Sequence, residues 1–184
     1  NVCDISFPEE SEHELYITCW DALGNSVRDV ETFFVDATGP HTEKTYEGPF
    51  YTDGYSEWID GVTTVVLTSE DSEPHPAGVE DTYYRYELVN DKYCYGEYSE
   101  WETCSEDCGD WTWTVYDGPF SIPEESCHVI EYYSVDKLGN EEDVQYQFVF
   151  VDKTAPETTK EVGSPNHNCN GLWEDVTEKC QENW

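Results

Sequence analysis

The side chains best placed to do chemistry in this sequence are carboxylates, and the chemistry they offer is the binding of a hard cation. Calcium takes several oxygen ligands, from Asp, Glu and backbone carbonyls. Asp36 and Asp152 occupy matching positions in VDATGP and VDKTAP; Glu70, Asp71 and Glu73 crowd the stretch EDSEPHPAG; Asp21 and Asp136 each open a turn of the form D-x-L-G-N. Asp caps turns through its own side chain, so Asp21 and Asp136 are read as turn residues. Asp36, Asp152, Glu70, Asp71 and Glu73 are the candidate calcium ligands.

Sulfur offers a second chemistry. The cysteines are eight: Cys3, Cys19, Cys94, Cys104, Cys108, Cys127, Cys169 and Cys180. Their spacing completes no zinc signature, since the Cys104-x3-Cys108 pair has only His128 as a nearby candidate ligand. All eight are expected in structural disulfides formed in an oxidising compartment. Cys94, Cys104 and Cys108 fall in YCYGEYSEWETCSEDCGD (93–110), an excursion longer than a loop needs, and are expected to staple it, with Cys127 anchoring it to a strand. Four cysteines allow three pairings, and the connectivity stays open.

Aromatic rings are a third candidate. Trp101 within the excursion and Trp111 and Trp113 just after it could stack a sugar; the alternation in WTWTV places Trp111 and Trp113 on one face, which suits core packing equally well. No His-Glu-x-x-His, Gly-x-Ser-x-Gly or phosphate-cradling glycine loop occurs. The chain is therefore expected to be non-catalytic, with no cofactor beyond calcium.

These residues are carried by strands. HVIEYYSV (128–135) and QYQFVFV (145–151) flank the DKLGN turn and read as a hairpin; ELYITCW and VETFFV around DALGN read as another. TTVVLTS (63–69), DTYYRYELV (81–89) and WTWTVYDGPF (111–120) are further strands, and no segment shows a helical stripe. Short strands with regular Pro and Gly punctuation indicate an all-β sandwich.

The two hairpins are copies. SFPEESEHELYITCWDALGN from Ser6 and SIPEESCHVIEYYSVDKLGN from Ser121 share ten of twenty residues. After a one-residue shift VDATGPHTEKTYEGP from Val35 lies under VDKTAPETTKEVGSP from Val151, a period of roughly 116 residues, which fits a whole sandwich domain. Residues 1–37 then match the C-terminal part of one domain, 38–153 a complete domain with a Cys-rich insertion (93–110), and 154–184 the N-terminal part of a further one.

Forty-two Asp and Glu against eight Lys and Arg give a net charge of −34. Phosphate backbones and anionic membrane surfaces require the opposite sign. Disorder is excluded by 14 Tyr, 7 Trp and 7 Phe, which are core material. No apolar run reaches the ~18 residues of a membrane helix, NVCDISFPEE lacks the features of a signal peptide, and no Asn-x-Ser/Thr acceptor occurs, so sugars would be O-linked.

Taken in order, TxPxT at a domain start, GVEDTYYRY in the middle, DGPFSIPEE, and EYYSVDKLGN before VFVDKTAP resemble the Ig-like domains strung in tandem in large archaeal and bacterial cell-surface proteins. The resemblance covers the whole chain, least clearly at 93–110. It implies an all-β, Ig-like sandwich repeat and an extracellular, structural or adhesive module without catalytic residues. YSEWETCSEDCG (98–109) is also locally similar to the opening of thrombospondin type 1 repeats, with Asp107 in place of a hydroxyl residue and without that family's stacked arginines and later cysteines. The expected function is a structural protein of an extracellular filament, stalk or surface layer, continued head to tail with itself by strand complementation or along one longer chain. The alternative is an adhesion module that binds carbohydrate or protein.

Overall fold

The computed structural model describes residues 5–96, 101, 111–161 and 163. The chain divides into two compact units, Asn1–Lys153 and Thr154–Trp184. Residues 154–161 and 163, the described part of the second unit, contain no helix or strand.

The first unit is nearly all β. Its strands are β1 (Glu12–Trp20), β2 (Ser26–Phe34), β3 (His41–Glu47), β4 (Phe50–Thr52), β5 (Glu57–Ile59), β6 (Thr64–Glu70), β7 (Val79–Leu88), β8 (Thr114–Val115), β9 (Phe120–Ser121), β10 (Cys127–Asp136) and β11 (Gln145–Val151), with one short helix, α1 (Asp91–Cys94). They form a six-stranded sheet in the order β4-β5-β11-β10-β7-β8, a three-stranded sheet β3-β6-β9, and the separate two-stranded sheet β1-β2.

The six- and three-stranded sheets enclose one core. Alternate residues of a strand face opposite ways, so Ile130 and Tyr132 of β10, Val149 and Val151 of β11 and Ile59 of β5 meet Val65 and Leu67 of β6, with Ile122 closing the end. Beside this apolar layer sits a hydroxyl cluster. Thr42, Ser69, Thr82 and Ser134, from β3, β6, β7 and β10, bond one another at 2.6–3.1 Å. Buried hydroxyls need partners, and these four supply each other's while tying the two sheets together.

The outer face of the six-stranded sheet is covered as well. Asn90 caps α1 by accepting from Lys92 N at 3.2 Å, and Cys94 at the end of α1 forms a disulfide with Cys127 of β10. That bond anchors the excursion to a strand. Cys19, expected in a disulfide, is instead an exposed free thiol, because among the described residues no cysteine lies against it; Cys3, Cys104, Cys108, Cys169 and Cys180 lie outside the described residues. Two local expectations change. The stretch 111–120 is not one strand, because Gly118 at φ +151° and Pro119 divide it into β8 and β9. The small helix α1 is too short to show a stripe. Among the described residues no helix is long and apolar enough to cross a membrane.

Candidate metal centre

The D-x-L-G-N turns fold alike in both hairpins. In the turn after β10, Asp136 Oδ1 accepts from Leu138 N (2.8 Å) and Asn140 N (2.7 Å), and Oδ2 accepts from Asn140 Nδ2 (2.7 Å). In the turn after β1, Asp21 Oδ1 accepts from Leu23 N (2.9 Å) and Asn25 N (2.8 Å), and Oδ2 from Asn25 Nδ2 (2.7 Å). Five residues of sequence fix this cage, with Gly139 and Gly24 both at φ +88° to close it. Burial pushes the Asp136 carboxyl up, but the hydrogen bonds from Asn140 and the turn N–H groups outweigh it and hold the group below its ordinary range. At exposed Asp21 the Asn25 side chain leads the same downward shift.

Among the described residues, only the Asp136 cage is joined by other carboxylates. Asp36, Asp71 and Asp136 each place a carboxylate oxygen within 4.8 Å of the other two. Asp36 ends the segment after β2. Its Oδ2 accepts from Ala77 N at 2.7 Å and its Oδ1 from Thr38 N at 3.1 Å, and its carbonyl accepts from Asn140 Nδ2 at 3.3 Å. Asp71 follows β6, and its Oδ2 accepts from Gly78 N at 2.6 Å. The Gly78 carbonyl in turn accepts from Lys137 N at 3.0 Å. Three separate segments therefore meet here: the connection from the first hairpin, the β6–β7 loop and the β10 turn.

The arrangement fits a calcium ion. Oxygens that share one Ca²⁺ sit 2.3–2.6 Å from it, so they lie at most about 5 Å from each other. Asp136 Oδ2, both Asp36 carboxylate oxygens and Asp71 Oδ2 each accept one N–H and keep a second lone pair for a cation. Without a cation the three charges repel, on the order of 3 kcal/mol per pair at an effective dielectric near 20. Asp36 and Asp136 are buried, and among the described residues no ion pair reaches any of the three.

Of the expected ligands, Asp36 and Asp71 come together and Asp152, Glu70 and Glu73 do not join them. Glu70 is exposed at the end of β6, opposite His41; Glu73 is exposed before the cis Glu73–Pro74 bond; Asp152 is exposed, its N–H donating to the Ile59 carbonyl. Asp136, read from sequence as a turn residue, is both turn residue and cluster member. Its motif was visible; its neighbours were not, because they lie 65 and 100 positions away along the chain.

The three tryptophans also converge, on a different centre. Arg85 of β7 and Glu131 of β10 form a buried ion pair at 2.5 Å. Trp101 Nε1 donates to Glu131 Oε1 at 2.8 Å, and the Arg85 guanidinium lies 4.3 Å from the Trp113 ring centroid and 5.4 Å from that of Trp111. Trp101 stacks on Trp111 with centroids 6.2 Å apart. All three rings are half-buried and roof the ion pair.

No protein-family model matches the chain, and no curated protein matches it.

Proposed function

We propose that this chain is a non-catalytic structural segment of an extracellular filament, stalk or surface layer, built from Ig-like sandwich repeats that continue head to tail. One observation carries the reading. The β1-β2 hairpin repeats the sequence and the pairing of β10-β11, yet its apolar residues Tyr16, Ile17, Trp20, Val27, Val30 and Phe34 are exposed. A lone two-stranded hairpin is marginally stable at best, and unpaired edges pair with other strands. A neighbouring repeat is the natural cover.

In this reading calcium belongs at Asp36, Asp71 and Asp136, where the connection from one repeat enters the next. An ion there would stiffen the joint, as suits a load-bearing array. The net charge of −34 keeps neighbouring fibres apart, and the disulfide suits an oxidising, cell-surface location. A glycan-binding role needs open aromatic platforms, and Trp101, Trp111 and Trp113 are instead committed to Arg85 and Glu131.

Electron microscopy of purified native material, paired with intact-mass analysis, tests the proposal. Filaments or an ordered layer are expected. A subunit of 21.3 kDa points to strand complementation between separate chains, and a much larger mass points to one tandem polypeptide. Dispersed monomers at all concentrations and calcium levels would sink the reading.

A further inference from the structure

We infer that the β1 edge receives an antiparallel β7-type strand from another copy of this repeat, one without an arginine at the place of Arg85. The inference rests on the structural reading above and adds the identity and chemistry of the strand. β10 and β1 hold equivalent positions in their hairpins, and β10 is paired on its other edge by β7, with Ile130 opposite Tyr86, Glu131 opposite Arg85, Tyr132 opposite Tyr84 and Ser134 opposite Thr82. Among the described residues β1 is paired on one edge only, by β2. Carried over through the repeat, the register sets Leu15, Tyr16, Ile17 and Cys19 opposite the places of Tyr86, Arg85, Tyr84 and Thr82.

On the inward face the match is good. Leu15 and Ile17 stand where Ile130 and Tyr132 stand, and a strand with Tyr at the facing places would cover them as β7 covers β10. The opposite face does not match β7's own sequence. Where β10 offers the Glu131 carboxylate, β1 has Tyr16, whose ring already lies 4.3 Å from the Arg28 guanidinium and whose hydroxyl donates to Glu14 Oε2 at 2.6 Å. A second arginine there would meet Arg28 in place of the fully buried partner it has at Glu131. Glu14 replaces Val129, so the place of Glu87 would set two carboxylates opposite each other, which weakens cross-strand pairing. The residues on this face thus select the strand: Val129 and Glu131 keep β7 inside its own domain, and Glu14 and Tyr16 refuse it.

The test uses the full chain and two labelled peptides, one of sequence VEDTYYRYEL (79–88) and one carrying Arg85→Thr and Glu87→Thr. Anisotropy gives affinities, and hydrogen exchange by mass spectrometry gives the site. The substituted peptide is expected to bind at least tenfold more tightly than the native sequence and to slow exchange across 12–20. In the chain variant Glu14→Val/Tyr16→Glu, which rebuilds the β10 face, the preference is expected to reverse. Equal affinities in both chains would overturn the selection while leaving the edge, and the structural reading, intact. No slowing across 12–20 with either peptide in either chain would overturn the docking edge itself.

Discussion

Ile17 and Tyr132 hold the same place in two copies of one hairpin, yet Ile17 is 46 % exposed and Tyr132 only 9 %. The two hairpins pair their strands in the same way, and both turn through an Asp–Asn cage. They differ in what surrounds them. β10 is flanked by β7 and β11, faces β3 and β6 across the core, and is backed by α1 and the tryptophans. Hydrogen bonding and turn chemistry thus suffice to shape a hairpin, while burial comes from residues distant in sequence.

The same contrast holds for the acidic residues. Asp21 and Asp136 sit in equal cages, and only Asp136 meets Asp36 and Asp71. Asp152 is the sequence counterpart of Asp36, and the described residues bring no such cluster to it. A repeat can therefore carry every ligand of a site while assembling the site only where three segments converge.

Removing one side of the buried ion pair gives the sharpest test of this difference. Glu131→Gln removes the carboxylate from the buried pair with Arg85 and is expected to destabilise the unit by about 3–5 kcal/mol in urea unfolding, whereas Tyr16→Gln at the matching place should change it by less than about 0.5 kcal/mol. Cys94→Ser opens a disulfide spanning 33 positions; loop entropy puts the loss at roughly 3–4 kcal/mol. Cys19→Ser should be silent in the same melt. Truncating Ile130 to Ala in the core should cost about 3 kcal/mol, and Leu15→Ala on the uncovered hairpin under about 1 kcal/mol; similar losses at both places would mean the first hairpin is already covered in solution.

Calcium comes next in size. At a hundredfold excess over its dissociation constant it should stabilise the chain by about 2.7 kcal/mol, seen as a higher melting temperature than in chelator. Asp71→Asn should abolish that difference and Asp21→Asn should preserve it. An unchanged melting temperature in wild-type chain would remove calcium as a structural ligand. The smallest effect is that of pH. Burial holds the His128 imidazole below its ordinary value, so the unfolded chain takes up that proton first as pH falls. Stability should decline below about pH 6.5, and His128→Gln should flatten that part of the profile.

Much of the fold was legible. Alternation in HVIEYYSV and QYQFVFV, with Gly139 between them, marked β10 and β11 and their turn because period and turn chemistry are local. The excursion and its anchor at Cys127 were legible from cysteine spacing, but the pairing with Cys94 was not, since three pairings satisfy the count. Trp111 and Trp113 were correctly placed on one side by alternation; nothing local told that Arg85, 26 and 28 positions earlier, would lie against them. Three of the five proposed calcium ligands stayed apart because acidic residues abound in this chain and sequence proximity is a poor guide to which of them converge.

The sequence by itself determined the strands of the two hairpins, the cages at Asp21 and Asp136, and the equivalence of the two hairpins, all of which follow from interactions within a few residues. Only the tertiary structure decided which copy is buried, which carboxylates meet and which tryptophans cover the ion pair. Those outcomes depend on strands brought together by sheet pairing and apolar burial across scores of residues, and no local pattern carries that information.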